Sequence, residues 1–148
     1  MVAFKDKDMG WKKIELNMKQ LKGRRVKVGI MGNESVEGTS VIDYAIYNEF
    51  GTRSIPSRPF MATTADRYRD QTVKFAENVV GNIIDLKYTV DIGLARLGAF
   101  YQSKVQQTIR DAKEWAVPND PKTIAAKGSS SPLIDTGRMV GSVRYEVE

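Results

Sequence analysis

Histidine and cysteine are both absent from this chain. Their absence removes the commonest general base near neutral pH, the thiolate nucleophile, any disulfide framework and the usual zinc ligands. Catalysis would fall to carboxylates and lysines. No two acidic residues are adjacent, and the closest, such as Asp6 with Asp8 and Glu146 with Glu148, sit near the termini, where solvated surface is the expected role. There is no HExxH and no phosphate loop of the GxxxxGK type. Gly29, Gly32 and Gly38 have the wrong spacing for a dinucleotide fingerprint. The residues predict a non-enzymatic chain with no catalytic, cofactor-binding or metal-binding site and no cofactor.

Two segments and one charged stretch stand out as candidate contact sites. The first is Asn48, Glu49, Phe50, Gly51 and Thr52, followed by Ile55-Pro56-Ser57-Arg58-Pro59-Phe60-Met61. Gly51 permits a left-handed exit from a helix, and two prolines three apart enforce an extended spacer with little entropy left to lose. Phe60 and Met61 are expected to re-enter the core. Arg58 is expected to stand exposed between the prolines, free to pair with a carboxylate of this chain or a neighbour. The second segment is Pro132, Leu133, Ile134, Asp135, Thr136, Gly137, Arg138 and Met139. Asp135 and Thr136 suit bonds to nearby backbone, Gly137 suits a turn into a final strand, and Leu133 with Ile134 suits an anchor.

The charged stretch covers residues 1–28, with nine bases (Lys5, Lys7, Lys12, Lys13, Lys19, Lys22, Arg24, Arg25, Lys27) against three acids. The chain's net +5 therefore resides there, on an otherwise near-neutral body. Such a face suits nucleic acid, an acidic neighbour or plain solvation. Sequence-tolerant nucleic-acid binding calls for interleaved aromatics, and only Phe4 and Trp11 are at hand. Trp11 is better explained as core.

The elements that must position these residues can be read from hydrophobic period. Trp11, Ile14, Met18 and Leu21 mark one face of a helix that Gly23 stops. Val26, Val28 and Ile30 alternate as a half-buried strand. Residues 32–40, rich in Gly, Asn, Ser and Thr, predict an exposed loop. Residues 41–50 predict a brief helix capped by Ser40 and ended by Gly51, with a strand over 41–44 as the alternative. Two long helices follow. The first spans about 60–84, with Ala65, Tyr68, Phe75, Ala76, Val79 and Ile83 inward. The second spans about 90–113, with Val90, Leu94, Leu97, Tyr101, Val105 and Ile109 inward. The link at 85–89 predicts a helical hairpin. Gly93 and Gly98 each cost a helix about 1 kcal/mol against alanine, which points to close approach of another backbone. Residues 114–136 predict a long irregular loop ordered mainly by partners. Residues 138–148 predict a strand over their last half, antiparallel to the strand near 26–30.

These elements amount to an α+β fold, in which a small antiparallel sheet packs with two long helices, a short N-terminal helix and long loops. Residues 1–23 form a basic N-terminal helix, and 24–148 a single domain long enough to bury a core without staples. No apolar run approaches the ~18–20 residues of a spanning helix. The first ten residues do not read as a secretory signal. A soluble chain made in a cytoplasm, with no membrane partner, is expected.

Taken together, the two motif segments resemble the tail-completion, or neck, proteins of tailed phages, also labelled minor tail or virion morphogenesis proteins. Those chains carry a segment like Asn-Glu-Phe-Gly-Thr, a short spacer and Ile-Pro-Ala-Arg-Pro-Phe. Here Ser57 stands where alanine is frequent. They end on a segment like Pro-Leu-Ile-Asp-Thr-Gly and a strand with a serine, here Ser142. The order and separation match, and the resemblance spans about 26–148, leaving the basic helix outside it. It implies a structural virion protein, assembled in the host cytoplasm as a homo-oligomeric ring, a hexamer, at the head–tail junction. Its implied partners are head connector or adaptor proteins and tail terminator or tail-tube proteins, with DNA only passing through the channel. A tail terminator, another minor tail protein and a basic nucleic-acid-binding module remain as alternatives, as does a carboxylate-dependent hydrolase.

Overall fold

The computed structural model describes residues 8–32, 35–36, 38–134 and 137–148. The order along the chain is α1 (Trp11–Leu21), β1 (Val26–Ile30), β2 (Ser35–Val36), β3 (Thr39–Ser40), α2 (Val41–Phe50), α3 (Phe60–Ile84), α4 (Val90–Arg110), α5 (Ala112–Trp115), α6 (Pro121–Lys127), α7 (Arg138–Gly141) and β4 (Val143–Val147). The fold is α+β, helix-rich with a small antiparallel sheet.

The backbone of the molecule is the α3–α4 hairpin, closed by residues 85–89 with Leu86 in the left-handed region (φ 60°). Its inward faces repeat at helical period, so Val79, Ile83, Val90 and Leu94 meet in one buried cluster. Phe75 stacks on Phe100 with ring centroids 4.2 Å apart. β1 and β4 lie across α4 and pair antiparallel, Val26 opposite Val147 and Ile30 opposite Val143. Their alternation sends Val28, Ile30, Val143 and Tyr145 toward the helix layer. Lys27, Arg144 and Glu146 face solvent. A second cluster gathers Val41 and Ala45 of α2, Phe60 of α3, Val105 and Ile109 of α4, and Leu133, Met139, Val140 and Val143. Each large side chain removed from water there contributes roughly 1.5–3 kcal/mol.

Six expectations are corrected. First, the two α4 glycines are met by side chains, not backbone. A Cβ on Gly93 would lie 2.6 Å from Ile83 Cδ1, and one on Gly98 would lie 2.3 Å from the Tyr145 ring. Second, the expected loop at 114–136 contains α5 and α6, because Asp120 caps Pro121–Lys127 through the Lys122 N–H and Gly128 closes it at φ 66°. Third, Gly137 leads into the short helix α7 before the final strand, since Met139 and Val140 are both drawn into the core. Fourth, Ser35–Val36 pairs antiparallel with Thr39–Ser40 as β2 and β3, though residues 33, 34 and 37 lie outside those described. Trp11, expected in the core, is 65% exposed, because only Ile14, Asn17 and Leu21 of α1 turn toward the body. Ala65 is also exposed, while the rest of the predicted α3 and α4 faces point inward.

Candidate functional site

The first motif folds on itself before it meets anything else. Ser40 caps α2 by accepting from the Ile42 N–H. Gly51 leaves the helix at φ 77°, and a Cβ there would press within 2.9 Å of the Ser57 nitrogen, so the tight return requires glycine. The Thr52 hydroxyl accepts from the Ser54 and Ile55 N–H groups at 3.2 and 3.0 Å. Ser57 Oγ donates to the Glu49 carbonyl at 2.8 Å. The Glu49 carboxylate reaches the start of α3 and accepts from the Met61 and Ala62 N–H groups at 2.9 and 3.2 Å. α3 begins at Pro59 with no side-chain cap and no acid in its own first turn. Glu49 therefore supplies from α2 the negative charge and acceptors that a helix start favours. Pro59 is half-buried at that junction.

Arg58 departs most from the sequence reading. It is 5% exposed and pairs with no carboxylate among the described residues. Nε donates to the Val117 carbonyl at 2.7 Å. Nη1 donates to Asn48 Oδ1 at 3.2 Å. Nη2 donates to the Pro118 carbonyl at 3.2 Å and to Asn119 Oδ1 at 3.1 Å. Removal from water pulls the guanidinium pKa below its ordinary value, and nearby Tyr44 opposes the shift. The side chain points inward because its planar fork finds neutral oxygens there in the geometry it needs. Asn48, 1% exposed, is fixed in turn by donating Nδ2 to the Tyr44 carbonyl, and its own carbonyl accepts from the Arg58 N–H.

The sequence reading missed Asn119, which is 7% exposed and donates Nδ2 to the Ser131 carbonyl at 3.2 Å. Through Arg58 and Asn119 the first motif holds the segment that leads to the second. Leu133 is 1% exposed and Ile134 packs against the same core cluster, as the anchor expectation required. Asp135 and Thr136 lie outside the described residues. Gly137 is exposed at φ 74°. The only local signal for Asn119 was its place in Val117-Pro118-Asn119-Asp120-Pro121, which reads as a turn.

What the motif leaves outside is apolar. Phe50 is 77% exposed, and Ile46 and Ile42, one and two turns earlier on α2, are 46% and 38% exposed. They flank an open hollow of about 300 Å³ with Ile30, Phe60 and Met61. The basic stretch is split. Arg24 pairs with Asp91 at 2.7 Å, Lys27 pairs with Glu148 at 2.6 Å, and Arg25 exchanges backbone bonds with Glu148. Lys12, Lys13, Lys19 and Lys22 remain on the solvent side of α1. Among the described residues no group of three or more acids, His or Cys is placed to hold a metal. No helix there is long and apolar enough to cross a membrane. Comparison with protein-family models, with curated proteins and with solved structures finds no match to this chain.

Proposed function

We propose that this chain is a non-enzymatic structural protein of a tailed-phage particle, assembling as a ring at the neck and completing or joining the tail. The observation that carries the reading is the division of labour inside the first motif. Its polar members, Asn48, Glu49, Thr52 and Arg58, are spent on each other, on the start of α3 and on residues 117–119. Its Phe50 projects, and with Ile46 and Ile42 earlier on α2 it forms an outward stripe. A rigid scaffold that holds an exposed aromatic beside an apolar hollow suits protein–protein contact, where aromatic anchors enter pockets on a partner.

The test is genetic and structural. Phe50→Asp changes a side chain with few internal contacts, so the variant is expected to fold with an unchanged melting curve. It is also expected to yield tails and filled heads that fail to join. Wild-type particles are expected to show this polypeptide at the junction in an electron-microscopy reconstruction. Particles that lack the protein, or that assemble normally without its gene, would sink the reading.

A further inference from the structure

Among the described residues the β1–β4 sheet has two strands and therefore two unfinished edges. The ladder bonds run through Arg25 with Glu148 and Met31 with Ser142. By the alternation of antiparallel pairing, Lys27 and Gly29 also turn their backbone groups toward β4. Val26, Val28 and Ile30 on β1, and Val143, Tyr145 and Val147 on β4, then turn theirs outward. Among the described residues no backbone N–H or C=O of Val26, Val28 or Ile30 meets a partner on that side. Beside the β1 edge lies an open apolar groove of about 410 Å³, lined by Val26, Val28, Thr72, Val73, Leu97 and Tyr101. Val73 on its α3 wall is 51% exposed. An open strand edge beside an apolar trough is a template for one more strand.

We propose that the β1 edge receives the β4 edge of a second copy of this chain, so that the sheet continues from copy to copy. This rests on the assembly reading above and names its interface. The occupant follows from residue pattern and charge. Let the second copy's β4 run antiparallel to β1 in the register the strands already use within a chain, Val26 opposite Val147 and Val28 opposite Tyr145. Its apolar residues then face the groove side. Its Glu146 comes opposite Lys27 and its Glu148 opposite Arg25. Opposite charges set directly across a strand pair favour that register, and a one-residue slip would turn the apolar set outward. Two β1 edges would instead bring Arg25 and Lys27 of both copies onto one face without an acid between them. Two β4 edges would leave the groove uncovered. The Arg144 guanidinium bonds the Val143 carbonyl of its own strand, so the new ladder uses the Tyr145–Val147 half of β4. A contact between unlike edges is head-to-tail, the kind that closes into rings.

Residue-resolved amide hydrogen exchange on the full chain over a dilution series tests this, with sedimentation velocity in parallel. In dilute protein the outward amides of Val26, Val28, Tyr145 and Val147 are expected to exchange fast, while Lys27 and Gly29 exchange slowly. As the chain assembles, the outward set is expected to gain at least about tenfold protection. Val28→Pro removes an outward donor and no β1–β4 bond, so it is expected to keep the fold and weaken assembly at least tenfold. Assembly that leaves Val26 and Val28 fast overturns this interface while leaving the assembly reading intact, and so does a folded Val28→Pro that assembles like wild type. A chain that stays monomeric at the highest concentration also overturns it, and particle composition then decides the neck reading on its own. Should Val28→Pro unfold, the wild-type exchange pattern still decides.

Discussion

Arg58 carries a full charge at a place where every neighbour within bonding reach is a neutral oxygen. Four bonds to Val117, Asn48, Pro118 and Asn119 replace its hydration. Such an arrangement costs little while complete and much when broken, because the acceptors lose their donor inside the protein. Arg58→Met keeps much of the stem and removes the fork. It is expected to lower unfolding free energy by roughly 3 kcal/mol, given the range for charge-assisted bonds with partly rehydrated partners. Arg58→Lys keeps the charge but offers no planar fork, and is expected to lose about half as much. Urea denaturation measures both, with the midpoint falling and the slope unchanged. An Arg58→Met midpoint equal to wild type would mean that Arg58 does not hold residues 117–119 in solution.

At the scale of elements, glycine separates local propensity from packing. Gly81 sits on the solvent face of α3, and a Cβ there would meet nothing within 4 Å, whereas one on Gly98 of α4 would enter the Tyr145 ring of β4. Gly81→Ala is therefore expected to stabilise by roughly 0.5–1 kcal/mol through helix propensity. Gly98→Ala gains the same propensity but must push β4 off α4, and is expected to destabilise by roughly 1–3 kcal/mol net. Thermal melts of the two variants should move in opposite directions; a shared sign would refute the packing of Tyr145 on Gly98. Period and turn residues alone announced α1, α2, α3, the 85–89 link and the alternation of β1 and β4, because each signal repeats along the local chain. Within 114–136 the local signals for α6, Asp120, Pro121 and Gly128, were outweighed by the prolines and the serine run, whereas the placement of 117–119 was not legible because it comes from Arg58, 59 residues before Val117 in sequence. For the same reason the candidate residues could be picked out by type, but not by the side they face. Arg58 and Asn48 turned inward, whereas Phe50 turned out. Glycine in α4 signalled a close approach correctly, though its pattern could not distinguish an incoming ring from an incoming backbone.

Across the whole molecule the two sequence features of interest sit at opposite ends of α3. The first motif holds the Phe60 end through Glu49. α1 lies at the other, where Asn17 Nδ2 donates to the Ile83 carbonyl. A helix of 25 residues at 1.5 Å per residue separates them by roughly 35 Å. The apolar stripe and the basic helix are thus distinct poles, and each can be altered without the other. Electrostatics at the basic pole is smaller than composition implies, because Arg24 is engaged by Asp91 and Lys27 by Glu148. Among the described residues, the lysines at 12, 13, 19 and 22 and the Arg25 guanidinium are what remains at this pole to meet phosphate; Lys5 and Lys7 lie outside those residues. Each neutralised phosphate contributes about 0.9 to the slope of log K against log salt. With Lys5 and Lys7 counted, seven cations set the limit, so duplex DNA binding by the full chain is expected to show a slope no steeper than about −6. In the fourfold variant Lys12→Gln, Lys13→Gln, Lys19→Gln, Lys22→Gln the slope should become shallower by up to about 3.6, while the stripe at Phe50 is unaffected. Fluorescence anisotropy across a salt series reads both slopes. A steep slope that survives the fourfold change would place the phosphate contacts elsewhere on the molecule and remove α1 as the pole that faces DNA.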